Sequence, residues 1–321
     1  MAKLYFLPRA LLKEHNWILR TGWRIESAFI RFVIRMLQRL PLARATERAR
    51  RLCAAIGPHT GLNEKLLRNQ AILHPDESLS ALQARARNTF GWAGVAIAEI
   101  TQLETIVAHE DEWVEFEIHP SVAEVVNSAD KAAVMVTAHV GPWTLTNLIA
   151  GHFGFRLTTV YAPESNPAVR DQILALRSAM AVNLIERDNS MRKLIGELRG
   201  GHKIGLATDV RLDGGPMLPL FGHPMETNSM PARLAQRQGC PLIPVRAIRL
   251  PGGRFRIIAE AAVGPDDPDA DLEERILQTA RNMTAVYERW IREDPDQWLC
   301  MARRWPKDLE RASLERARAR R

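Results

Sequence analysis

The stretch Ala132–Gly151 reads AAVMVTAHVGPWTLTNLIAG. Its first part, Ala132–Ala138, is uncharged and mostly apolar, with β-branched residues, the composition of a strand buried on both faces of a parallel sheet. His139-Val140-Gly141-Pro142 breaks that run. Proline suits the first helical position, where its missing N–H costs nothing, and Trp143–Ala150 has the composition to continue a helix. The stretch predicts a core strand, a turn and a helix, with a histidine in the turn at the strand's carboxyl end. Open α/β sheets bind ligands at that end. An imidazole there has helix N–H groups nearby, and it can equally be a turn histidine satisfied by local partners.

Outward from this stretch, the chain after Lys131 alternates strands and helices. Strands are expected at Leu157–Tyr161, Lys203–Thr208, Leu242–Arg249 and Phe255–Ala261, with a short extended piece at Leu184–Glu186. Helices are expected at Pro167–Met180, led by Asn166-Pro167, at Ser190–Arg199, stopped by Gly200-Gly201, at Met230–Gln238, closed by Gly239, and at Leu272–Arg292. Pro251-Gly252-Gly253 marks a turn between two of the strands. Upstream, Leu42–Glu110 reads as mostly helical, with periodic segments Asn63–His74 and Glu77–Glu99 parted by Pro75-Asp76. No internal repeat or low-complexity linker divides the chain. The economical organisation is an N-terminal amphipathic helix (1–45), one α/β domain (46–305) and a basic helical tail (306–321), frayed or resting on a membrane.

The chain has 321 residues, 46% of them hydrophobic, enough for a sizeable core. Cys53, Cys240 and Cys300 lie far apart and form no CxxC, so neither a disulfide framework nor a zinc site is expected, in keeping with a reducing compartment. The formal charge of +7 fits an anionic membrane or an acidic protein partner. Zinc-finger spacing and RRM-like aromatic signatures are missing, which argues against nucleic acid. Met1–Leu12 lacks the apolar core and cleavage site of a secretory signal. No run of 18 uncharged apolar residues suggests an ordinary membrane span.

Trp17–Leu40 instead reads as a basic amphipathic helix. Arg20, Arg24, Arg31, Arg35 and Arg39 recur near spacings of four. Between them lie Trp23, Ile25, Phe29, Ile30, Phe32, Val33, Ile34, Met36 and Leu37. This pattern suits a helix lying in a membrane interface. It also suits a helix packed on the domain with a solvated basic edge.

In its strand–turn–helix setting, His139-Val140-Gly141-Pro142-Trp143 resembles the first motif of the late, or secondary, lipid A biosynthesis acyltransferases, within the wider glycerolipid acyltransferase group. That motif is a histidine, four residues, then an acidic residue; here the fifth position after His139 is Thr144. Further matches follow in order. Asn166-Pro167 is followed by Arg177, ten residues past the proline. Ala207-Thr208-Asp209 ends a strand in aspartate, with Val210 where the family often has glutamine. Pro219-Leu220-Phe221-Gly222-His223-Pro224 with Thr227 resembles the family's Phe-Gly motif, and Leu234-Ala235 and Gly239 follow as expected. Asp294-Pro295-Asp296-Gln297-Trp298-Leu299, with Arg303-Arg304, resembles the C-terminal signature, with Cys300 where tryptophan is usual. Asn69, Pro75 and Glu99 are weaker matches. The resemblance spans about Asn69 to Pro306.

The resemblance implies a single glycerolipid-acyltransferase-like α/β domain, its mostly parallel central sheet flanked by helices. It implies transfer of a fatty acyl chain from acyl carrier protein to a hydroxyl of a lipid A precursor, at the cytoplasmic face of an inner membrane. The partners are acyl carrier protein, the lipid acceptor and an anionic membrane surface; no cofactor or metal is required. A lysophospholipid, glycolipid or aminolipid acceptor is the nearest alternative, and a non-catalytic lipid-binding homologue the next.

Residue types fit that chemistry. A neutral imidazole can take the proton of a hydroxyl at physiological pH, and His139 is the candidate base. An acidic neighbour would hold its tautomer and stabilise the imidazolium. Thr144 can orient the ring but supplies no charge. Asp209, at the end of a neighbouring strand, can substitute; otherwise the enzyme works slowly without the charge, or the site is dead. Arg177 is assigned to a phosphate or to the thioester region, since its planar fork suits phosphoryl groups. Trp143, Asn166, Phe221, Gly222 and Thr227 complete the implied substrate-binding set, with Phe221-Gly222 also readable as a tight turn needing glycine. The remaining histidines show no ligand spacing.

Overall fold

The computed structural model describes residues 16–188 and 190–320. The expectation for Met1–Leu12 lies outside the described residues. Nine strands are seen among them: β1 (Val114–Ile118), β2 (Ala133–Thr137), β3 (Leu157–Tyr161), β4 (Val182–Glu186), β5 (Lys203–Ala207), β6 (Met217–Leu220), β7 (His223–Glu226), β8 (Leu242–Leu250) and β9 (Arg254–Ala259). Seven form one sheet in the order β1-β9-β8-β2-β5-β3-β4. Every pairing in it is parallel except β8 with β9, which is antiparallel. Helices cover both faces, as the uninterrupted apolar strands require.

The strand predicted at Ala132–Ala138 is β2, at the centre of the sheet. On one face Met135, Leu157, Val245 and Ala247 pack under Leu145, Leu148 and Ile149. On the other, Val134, Val136, Ile204 and Leu206 pack against the helices Ser190–Arg199, Met230–Gln238 and Leu272–Glu293. Ile204 and Ile243 are fully buried, each stabilising the fold by about 1.5–3 kcal/mol relative to exposure.

Several expectations are corrected. The helix after His139 does not begin on Pro142. That residue has ψ of 51° and stands before a 3-10 turn, Trp143–Asn147, which passes into the helix Leu148–Phe153. The cause lies one residue upstream: Gly141 has φ of +63°, and a Cβ there would sit 2.8 Å from the Ala247 carbonyl oxygen. Close packing of the turn on β8 thus sets the entry angle and demands glycine. The helix begun at Pro167 stops at Arg177. Strand β1 and the hairpin β6–β7 fall in segments for which no strand was expected. The hairpin turns on Phe221 (φ 53°) and Gly222 (φ 74°), the two positive-φ positions of a tight primed turn.

The tail is packed rather than frayed. Its helix, Lys307–Ala319, buries Leu314 and Ala317 in a cluster with Leu66, Leu67, Trp298 and Trp305. Buried Glu310 accepts hydrogen bonds from the Arg304 and Trp305 backbone N–H groups at 3.0 and 3.1 Å, closing the tail onto the chain before it.

The N-terminal helix runs Asn16–Gln38, and Pro41 precedes the next one, Leu42–Ile56. Its apolar residues divide. Leu19 and Leu37 are buried, and Trp23, Ile30, Val33 and Ile34 are partly covered. Ile25, Phe29, Phe32 and Met36, spaced four, three and four apart, form an exposed stripe, with Trp17 also exposed. Arg20, Arg24, Arg31, Arg35 and Arg39 are exposed too. No helix among the described residues is long and apolar enough to cross a membrane.

Candidate active site

The register of the sheet assembles the site. Thr137 at the end of β2 pairs with Ala207 at the end of β5. The Thr208 N–H donates to the Thr137 carbonyl at 3.1 Å and carries the pairing one residue further. Two residues beyond each strand end come His139 and Asp209, so strands adjacent in space but distant in sequence set these side chains together. His139 Nδ1 lies 2.6 Å from Asp209 Oδ1.

Asp209 is buried, and two further groups stand against its charge. Trp298 Nε1 donates to Oδ2 at 2.8 Å. Arg304, itself buried, brings Nη2 to 3.7 Å from the same oxygen. Burial alone would push the carboxyl up; the charge and hydrogen bond of His139, then Arg304 and the Trp298 indole, overcome this and hold it well below the usual carboxylate range. Asp209 is therefore an anion at neutral pH. A carboxylate only accepts, so Nδ1 of His139 carries the hydrogen of this contact, and in the neutral form of the ring the lone pair falls on Nε2.

The C-terminal segment acts as a strap across this pair. Val140 and Trp298 form an antiparallel bridge. The Leu299 N–H donates to the His139 carbonyl at 2.9 Å, and the Gly141 N–H to the Gln297 carbonyl at 3.3 Å. Fully buried Asn69 donates to the carbonyls of Cys300 and Ala302 at 2.6 and 2.8 Å, pinning the strap from below. Buried Glu99 accepts from Arg249 at 2.6 and 2.7 Å, and Arg249 also donates to Gln297. Asn69 and Glu99 thus hold the segment that carries Trp298 and Arg304.

His139 opens onto a cavity of about 250 Å³ between the sheet face and the segment Trp143–Phe153. Its buried end is lined by Met135, Ile149, Leu157, Gly205 and Val245. Its accessible end carries His139, Trp143, Tyr161 and Arg177. The Trp143 and His139 rings lie 5.3 Å apart. Gly205 occupies the row Met135–Gly205–Thr159 across three strands; with no side chain there, the sheet face sinks and leaves room for a ligand. Arg177 reaches the cavity from the end of its helix. Burial works against its charge, with Glu164 and Tyr161 opposing. Its Nε is buried without a hydrogen-bond partner among the described residues.

The other expected residues are placed as follows. Thr144 lines the cavity and is buried, and the ring contact expected of the motif's acidic residue is made by Asp209. Asn166, Phe221, Gly222 and Thr227 do not line it. Asn166 caps the helix Pro167–Arg177. Phe221 packs near Trp298 and Trp305, with ring centres 6.4 and 6.5 Å away, and its N–H donates to Glu288 at 2.6 Å. Thr227 donates to the Met225 carbonyl beside the hairpin. Trp298 and Arg304 gain roles that no spacing announced; their only signal was the C-terminal motif itself.

The family described as bacterial lipid A biosynthesis acyltransferase matches residues 17–307. The chain belongs to that family, whose members transfer acyl groups. No curated protein matches the chain.

Proposed function

We propose that the protein transfers a fatty acyl chain from acyl carrier protein to a hydroxyl of a lipid A precursor, with His139 as general base. The observation that carries this reading is the 2.6 Å contact between His139 and the buried Asp209 carboxylate at the open end of an apolar-ended cavity. The acceptor hydroxyl gives its proton to Nε2 as its oxygen attacks the thioester carbonyl. Asp209 stabilises the imidazolium that forms. The tetrahedral intermediate then collapses, breaking the carbon–sulfur bond, and the imidazolium returns the proton to the departing thiolate. One ester forms and one thioester is lost.

The acyl chain fits the buried end beside Met135, Leu157 and Gly205, and Arg177 meets a substrate phosphate or the thioester region at the accessible end. Charge at Asp209 supplies what Thr144 cannot, which favours an enzyme over a non-catalytic homologue. The exposed stripe Ile25–Phe29–Phe32–Met36, next to the exposed arginines, supports seating of the N-terminal helix in an anionic interface, at the cytoplasmic face of the inner membrane. The test is mass spectrometry of products after incubating the protein with an acyl carrier protein thioester and a lipid A precursor. Wild type adds one acyl chain and His139→Ala adds none; an inactive wild type refutes the proposal.

A further inference from the structure

The helix Pro167–Arg177 is lightly anchored: Val169 is its one buried residue, and others such as Ile173, Leu174 and Arg177 are half-buried. Its far end nevertheless carries Arg177 into the cavity. Its near end is held by Asn166, which is buried and uses both ends of its amide. Oδ1 accepts from the Ala168 N–H at 3.1 Å and caps the helix. Nδ2 donates at 2.9 Å to the Trp23 carbonyl and at 2.9 Å to Glu26 Oε2, both on the N-terminal helix. Gln172, midway along, donates to the Ser27 carbonyl at 3.3 Å. The face of the N-terminal helix that turns to the domain thus grips the Arg177 helix, while Ile25, Phe29, Phe32 and Met36 on its other side are exposed.

We infer that Asn166 is a positioning residue that couples the two helices, so that seating of the N-terminal helix on an anionic lipid surface steadies Arg177 in the cavity and tightens the hold on an acyl thioester. The inference rests on the membrane and acyl-thioester readings proposed above. A segment with so little buried surface opens locally at small cost. Whatever fixes its partner therefore restricts it as well.

Asn166→Asp separates clamp from cap: the new carboxylate still accepts from the Ala168 N–H but cannot donate to Trp23 or Glu26, and it repels Glu26. The experiment uses the full chain, free and on vesicles of one part phosphatidylglycerol to three of phosphatidylcholine, with co-sedimentation confirming equal binding of both proteins. Hydrogen exchange over residues 167–177 is expected to slow about tenfold on vesicles in wild type, the worth of one ordinary hydrogen bond, and not in Asn166→Asp. With lauroyl-coenzyme A as donor probe, the KM of wild type falls on vesicles by a similar factor at constant kcat, and that of Asn166→Asp does not. Equal slowing of exchange in both proteins, or none in wild type, overturns the coupling. Exchange is read without turnover, so it tests the coupling even if acyl transfer fails; an inactive wild type with normal coupling would refute the proposed reaction alone.

Discussion

Asp209 holds His139 from a separate strand: the two side chains meet at 2.6 Å although seventy residues separate them in the chain. The acidic position of the local motif is Thr144, and the carboxylate arrives instead from the end of β5. A carboxylate thus stands beside the imidazole, supplied by another strand rather than by the local motif.

If Asp209 supplies the charge, Thr144 is a cavity wall. Thr144→Ala is expected to keep kcat within about threefold of wild type, since it removes no charged or charge-bearing hydrogen bond from the ring. Steady-state kinetics on the acyl carrier protein thioester decide; a loss of a hundredfold would assign Thr144 a direct part in the proton transfer.

Trp298 donates its indole hydrogen to Asp209. Trp298→Phe keeps the aromatic packing near Phe221 and Trp305 and deletes the donor. One charge-assisted hydrogen bond is worth about 1.5–3 kcal/mol, so kcat/KM should fall at least ~10-fold while the fold survives. Circular dichroism and kinetics on the same sample separate the two effects.

Gly205 leaves open the middle of the sheet face. A Cβ there would lie 3.5 Å from Leu157 and Thr159, an ordinary contact, so Gly205→Ala fits the fold and takes up cavity. Preference is expected to shift to shorter acyl donors, with roughly tenfold loss for the longest chain wild type accepts, the worth of about one or two methylenes. Unchanged chain-length preference in a competition assay would place the acyl chain elsewhere.

Lys203 is fully buried at the start of β5, its Nζ donating to the Ser128 carbonyl at 2.6 Å and standing 4.3 Å above the Phe155 ring. Burial lowers its pKa to about 8, against a smaller opposing effect of Asp130. The unfolded lysine stays protonated to about 10.4. Between these values the unfolded chain binds more protons than the folded one, so stability rises with pH across that window and the penalty is fully present below it. Urea midpoints should show wild type gaining up to about 3 kcal/mol on Lys203→Met between pH 7.5 and 10.5. Parallel pH profiles would mean that burial leaves Lys203 titrating as it does in the unfolded chain.

Much of this fold was legible in the chain. The uncharged, β-branched run Ala132–Ala138 reads as a core strand, and glycine pairs marked the ends of neighbouring elements. Asp209 could be suspected because a strand led to it, but its contact with His139 depends on the β2–β5 register, which no local pattern encodes. Trp298 and Arg304 reach Asp209 through a strap held by Asn69, a relation visible only in three dimensions. The N-terminal helix showed its apolar content but not its division, because which apolar residues meet the domain is settled by what packs there. Asn166, one of the binding residues that the resemblance implies, joins two helices; its neighbour Pro167 announced a helix start but not what else the cap would hold. Strand β1, V-E-F-E-I, alternates as an edge strand does, and its brevity hid it beside a long helical region.

The central claim is that the Asp209 charge empowers His139, and Asp209→Asn tests it most directly. Asparagine preserves shape and can still accept from the Trp298 indole, but it cannot hold the imidazole's charge; the corresponding change in the serine protease triad costs about 10⁴ in rate. Measured as acyl transfer from an acyl carrier protein thioester to a lipid A precursor, kcat of Asp209→Asn should fall by about 10³–10⁴ with substrate binding retained. A variant within tenfold of wild type would contradict the account.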